Sequence, residues 1–231
     1  GIASEACGDI LLDESFGALT RRKALVARLR ALAFEEAASS GPRGELVGPL
    51  ELLLTELGQL ATYTLLSPLE ALAAHALPAF RAKAQATLGR LLYKRTFITL
   101  RAGLTDPDES VRAAARVSLE QMRFPHALDP AMRILEEASD PKTRRSALTA
   151  VYRIDTPDSA EALIKWLAGA EQGDRLRIQE LHRETRGGAF GAAARTRLED
   201  PTLPAELRST LSAMLGPAGA EVLIRGGSPM G

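Results

Sequence analysis

The sequence predicts an all-α protein, a right-handed solenoid of helix pairs about 32 residues long behind a divergent helical cap. The first observation behind this is a recurring fragment: a small or apolar residue, an arginine, then apolar residues three and seven positions beyond the arginine. It reads Phe80-Arg81 with Ala84 and Leu88, Val111-Arg112 with Ala115 and Leu119, and Thr143-Arg144 with Ala147 and Val151. A fainter copy opens at Asp174-Arg175 with Ile178, and a clear one at Leu207-Arg208 with Leu211 and Leu215. The second is the recurrence of Asp-Pro at Asp106, Asp140 and Asp200, where proline stops a helix and aspartate accepts from free amides. The third is composition. Apolar residues make up 45% of the 231 but aromatics only 4%, so the interior is built from Leu, Ala, Val and Ile, a mix that favours helices.

Residues 1–14 lack periodicity and read as an arm. Residues 15–66 read as the cap: Phe16, Leu19, Val26, Leu29 and Ala33 form one helical stripe, Gly41-Pro42 ends it, and a second, mostly apolar helix runs from about Pro49 to Leu66. Residues 67–216 read as the repeats, continuous with the cap as one domain. Ser67-Pro68-Leu69-Glu70 has the form of a helix start, with a capping Ser, Pro first and Glu third. That short helix ends near Leu77, and another runs from about Ala79 to Leu92. The expected pairs that follow are Arg95–Leu104 with Glu109–Arg123, Leu128–Ala138 with Lys142–Ile154, Asp158–Ala168 with Gly173–Glu184, and Ala189–Leu198 with Ala205–Leu215. Gly187-Gly188 is the joint before the last pair. Residues 217–231 read as a flexible tail containing a strand-like run, Glu221–Ile224.

Asp106-Pro107, Val111-Arg112, Ala115 and Leu119 resemble a HEAT repeat, in the short bacterial variety also found in phycobilisome-lyase-like proteins, and Asp140–Ile154 matches nearly as well. Phe80–Leu91 and Leu207–Leu215 match in part. The Asp174 copy departs, with His182 at the second apolar position. The resemblance implies a ladder in which turn aspartates and helix arginines bond between neighbouring repeats, here Asp106, Arg112, Asp140 and Arg144. It makes a chromophore-attachment activity conceivable, although no residue supports one.

The residues argue against catalysis. His75, His126 and His182 form no metal-binding pair, Cys7 is the sole cysteine, and neither a nucleophile elbow nor a phosphate-cradling glycine motif is present. No metal or other cofactor is expected. His75 reads as a partly buried structural residue, His182 as solvated, and Trp166 as core. Glu35-Glu36 and Glu136-Glu137 are adjacent pairs that point apart on a helix.

Charge is balanced, with 29 basic and 29 acidic residues, and remains about +2 up to Leu104 and about −2 beyond it. Nucleic-acid binding by Arg21-Arg22, Arg144-Arg145, Arg175 and Arg177 is therefore the weaker alternative, since phosphate binders carry a basic surplus and stacking aromatics. The stretch Leu46–Leu66 carries Glu51 and Glu56, which argues against membrane insertion. The chain opens on Gly with no basic stretch leading into an apolar run, so a trimmed or processed end is expected, and a soluble protein, cytoplasmic or exported.

The expected function is a non-catalytic scaffold or adaptor that holds another protein on the surface of the second helices. If Val111, Ala115, Leu119 and Met122 face the core, the opposite arc holds Ala113, Arg116, Val117, Glu120 and Arg123. One repeat later it holds Arg145, Leu148, Thr149, Tyr152 and Asp155. Arg116, Arg145, Leu148 and Tyr152 are the candidate contact residues, tyrosine and arginine being favoured at binding hot spots. A third possibility is that Glu221–Ile224 adds a strand to a partner's sheet.

Overall fold

The computed structural model describes residues 20, 23–30, 53–55, 63–91, 93–185 and 187–216. The arm, most of the cap, Cys7, Arg21-Arg22, Glu35-Glu36 and the tail with Glu221–Ile224 lie outside the described residues. Among the described residues from Tyr63 onward the chain is helix and turn: α1 (Leu66–Ala73), α2 (Pro78–Leu88), α3 (Thr96–Leu104), α4 (Glu109–Gln121), α5 (Leu128–Glu137), α6 (Pro141–Ile154), α7 (Pro157–Leu167), α8 (Gln172–Thr185), α9 (Gly188–Glu199) and α10 (Ala205–Leu215). Odd-numbered helices are the first members of five pairs and even-numbered helices the second.

Local chemistry sets these boundaries. Asp108 and Asp140 accept from Ser110 N (2.8 Å) and Thr143 N (2.9 Å) at the starts of α4 and α6, satisfying amides that have no intrahelical partner. Thr156 and Ser159 form a reciprocal capping box at α7. Pro78, Pro141 and Pro157 sit in the first turn of α2, α6 and α7, where a missing N–H costs nothing.

Two local expectations are corrected. Ser67 is not a cap: a 3-10 turn, Tyr63–Leu65, feeds directly into α1, which ends at Ala73 rather than near Leu77. The Asp-Pro pairs are also not equivalent. Asp140 lies four residues before its helix arginine and caps α6, whereas in the preceding repeat that position is Asp108. Asp106, two residues earlier, does something else.

The chain divides into two compact units, Gly1–Met122 and Arg123–Gly231. In the first, α1 packs on α2 and α3 on α4, while α2 lies along α4 and α1 along α3. Leu29, Leu53 and Leu54 of the cap join Leu65, Leu66, Leu69, Leu72, Phe80, Ala84, Leu88 and Leu91 in one core cluster. Val111, Ala115, Leu119 and Met122 are fully buried, as their spacing predicts. The α2–α4 approach is close. A Cβ on Gly89, just past α2, would stand 2.7 Å from the Cα of Ser118, and Ser118 Oγ donates to Gln85 O at 2.6 Å.

In the second unit α5 packs on α6 and α9 on α10, α6 also packs on α7, α6 lies along α8 and α8 along α10, and α7 lies along α9. The turn between α7 and α8 is tied by Trp166, whose indole N–H donates to the buried Asp174 carboxylate at 3.1 Å. Trp166 is thus partly exposed and hydrogen-bonded, not simply an apolar core residue. Asp155 ends α6 in the left-handed conformation (φ 52°), and its carboxylate accepts from Ala189 N at the start of α9, a helix whose own Gly187 offers no side-chain cap.

Candidate functional site

Four of the five second-helix arginines of the repeat turn back onto the segment that precedes their own helix, whereas Arg175 reaches Glu206 instead. Arg81 donates to His75 O and Ala76 O, Arg112 to Asp106 O and Pro107 O, Arg144 to Ala138 O, and Arg208 to Leu198 O and Asp200 O. A guanidinium has several donors in a fixed fork, so it can satisfy turn carbonyls and still reach a carboxylate. Arg81 does this: its Nε and Nη2 bond Asp106 of the next repeat at 2.8 and 2.9 Å. That donation holds the Asp106 carboxyl below its ordinary 3.8, helped by the Asp108 amide, and raises the Arg81 guanidinium in turn.

Of the four residues the resemblance placed in a ladder, Asp106 bonds the preceding repeat's arginine and Arg144 reaches Glu171 of the following repeat at 3.5 Å. Arg112 bonds Glu109 and the Asp106 and Pro107 carbonyls of its own repeat, and Asp140 serves as a cap. First helices are tied by acid–arginine pairs too, Glu70–Arg95 at 3.0 Å and Glu161–Arg197 at 2.9 Å.

The Arg81–Asp106 pair predicts an acid response. Because the folded carboxyl titrates below 3.8, its stabilisation is complete above that value and disappears as pH falls through the folded value. Asp106→Asn is expected to cost about 1–2 kcal/mol at neutral pH. The gap in melting temperature between the two proteins then closes on acidification below about pH 4, which thermal melts across that range measure.

The arc predicted to lie open on α6 is closed at Leu148, Thr149 and Tyr152. Leu148 is fully buried and Tyr152 is 5% exposed. The reason is that α6 packs on α5, α7 and α8, so nine of its fourteen residues are buried and a single-stripe reading of the helix fails. Tyr152 OH lies 3.0 Å from Thr185 Oγ1 and 3.2 Å from His182 Nδ1. Arg145 remains at the surface, pairing with Glu180 at 2.8 Å. Beneath it Arg177 reaches Glu180 at 3.1 Å and donates to Thr149 Oγ1, which itself donates to Arg145 O. Arg116 is also a correction, buried at 8% exposure with its guanidinium on Glu109 at 2.7 Å.

Arg144, Arg145, Arg175 and Arg177, the described arginines of the phosphate-binding alternative, thus all pair with carboxylates, Arg175 with Glu206 at 2.9 Å. Missed by the sequence reading were the apolar side chains that do stand in solvent on second helices: Val117 on α4, 56% exposed, and Leu176 on α8, 50% exposed. Val117 had been placed on the open arc without being chosen. Leu176 follows Arg175 directly, and nothing in its spacing distinguished it. Leu176 and Glu180 are four residues apart and share a helix face, so Leu176, Glu180 and Arg145 form one mixed surface.

Among the described residues no group of three or more His, Cys, Asp or Glu is placed to hold a metal, and no helix is long and apolar enough to cross a membrane. Residues 97–181, from α3 to within α8, match the family model described as HEAT repeats. No curated protein matches the chain.

Proposed function

We propose, from the premise that residues 97–181 are HEAT repeats, that this chain is a non-catalytic scaffold that binds another protein on the faces of its second helices. HEAT repeats generally serve as protein-interaction scaffolds and are typically non-catalytic. The observation that carries the surface assignment is Leu176, a large apolar side chain half exposed on α8 beside the Arg145–Glu180 pair. An apolar anchor rimmed by a charge pair has the make-up of a protein contact site. Arg145 keeps its candidate role, whereas Arg116, Leu148 and Tyr152 are buried. Phosphate binding is not favoured, because its arginines are engaged by acids.

Leu176→Glu tests the reading. It replaces an exposed residue, so the helical spectrum is expected to stay unchanged and stability to move by no more than about 0.5 kcal/mol. Affinity for the physiological partner is expected to fall about tenfold or more. Ile98→Glu, on the first helix α3 where Ile98 is 74% exposed, serves as the control and leaves binding intact. Loss of binding in Ile98→Glu but not in Leu176→Glu places the contact on first helices and ends the proposal.

A further inference from the structure

His182, read from sequence as solvated, is instead half buried where three helices meet. On the α6 side, Tyr152 OH lies 3.2 Å from its Nδ1. On the α9 side, the ring meets Phe190 edge-on with centroids 5.6 Å apart, and a Cβ on Gly191 would stand 2.8 Å from its Cε1. Tyr152 and Phe190 are themselves in ring contact at 5.6 Å. The glycine is therefore required for the imidazole to seat against α9.

We propose that this joint is a proton-sensitive latch: neutral His182 seats α9 against the ends of α6 and α8, and acidification to imidazolium loosens α9. Nδ1 of a neutral ring is satisfied whichever nitrogen carries the proton. Thr185 Oγ1 donates to Leu181 O at 2.9 Å and so accepts from Tyr152 OH, leaving the phenol oxygen to take a proton from Nδ1; alternatively Tyr152 OH donates to Nδ1.

Among the described residues a charged ring has no counterion. From α9 it faces Arg195, another cation. From α6 it faces Tyr152, and the Asp155 carboxylate at that end is bonded to Ala189 N. From α10 the charged groups are Glu206, held by Arg175, and Arg208, held by turn carbonyls. On α8 itself Glu180 is held by Arg145 and Arg177, while Arg183 and Glu184 stand exposed on other faces. Among the described residues no carboxylate lies within ion-pair reach of the ring. Burial first, and Arg195 second, accordingly hold the imidazole below its ordinary 6.5. With the folded value depressed, the unfolded chain binds the proton more readily, so stability falls as pH drops through 6.5 toward the folded value.

The test is carried out on the full chain. Histidine NMR titration is expected to place His182 below 6.5, and the melting temperature to fall by at least about 2 °C between about pH 7.5 and about pH 5.5. His182→Gln is expected to remove most of that fall, and Arg195→Gln to reduce it. Amide exchange, corrected for its intrinsic pH dependence, is expected to rise severalfold at the lower pH in Phe190–Leu198. A His182 that titrates at or above 6.5, or α9 amides equally protected at both pH values, overturns the latch even if His182→Gln does not fold. An acid response unchanged in a folded His182→Gln overturns it as well.

Discussion

Leu148→Ala lowers the free energy of unfolding by about 2–5 kcal/mol, the range for removing a buried leucine where the surroundings collapse only in part. The expectation rests on the complete burial of Leu148 in a helix with α5, α7 and α8 packed around it. Most of the loss should appear as faster unfolding or a lower melting temperature of the second unit, read by circular dichroism and by fluorescence of Trp166, the single tryptophan. The contrast with Leu176→Ala is the sharper measurement. Both remove the same atoms from second helices of adjacent repeats, yet the half-exposed site on α8 is expected to cost no more than about 1 kcal/mol. A Leu148→Ala protein as stable as the parent would mean that α6 has an open face after all, and the original placement of Leu148 on the contact surface would return.

Helix positions were legible because apolar spacing, Asp and Pro caps and the recurring arginine all report on the same unit. The boundaries of α3 through α10 fall within two residues of those read from sequence. The interaction surface was less legible for a physical reason. A periodicity argument gives a helix one buried stripe, which on α4 places Val117 in solvent correctly but misses the burial of Arg116. It fails for α6, whose second and third neighbours come from other pairs and leave no trace in its own spacing. The ladder was legible as residue types but not as partners. Arg81 and Asp106 were both conspicuous, yet pairing Asp106 with Asp140 through their shared Pro obscured that one accepts from an arginine and the other caps a helix. His182 was misread because its neighbours Tyr152 and Phe190 lie 30 residues before it and a turn beyond it, on helices whose juxtaposition only the packing decides.

Gly89 concerns how closely second helices approach. The sequence reading ran this helix to about Leu92, whereas α2 ends at Leu88 and Gly89 opens the turn. Its φ of −61° suits any residue, so conformational freedom is not why glycine stands there. Space is: the nearest atom to a new Cβ is the backbone Cα of Ser118, which cannot swing aside as a flexible side-chain end would. Gly89→Ala is therefore expected to cost about 1–3 kcal/mol and Gly89→Val about 3 kcal/mol or more, as overpacking pushes α4 off α2 and strains the Ser118–Gln85 bond. A double-mutant cycle with Ser118→Gly separates this from a generic helix effect. Ser118→Gly alone loses a hydrogen bond and about 0.5 kcal/mol of helix propensity, but in the Gly89→Ala background it removes Cβ and Oγ from the clash and should cost clearly less. Additive effects, or a Gly89→Ala protein within about 0.5 kcal/mol of the parent, would show that the two helices have room to spare. Val117 is the residue before Ser118 on the same helix, so the α2–α4 spacing also sets where that exposed side chain is presented. If partner binding uses the second-helix face of this unit, Gly89→Ala weakens it without touching a contact residue.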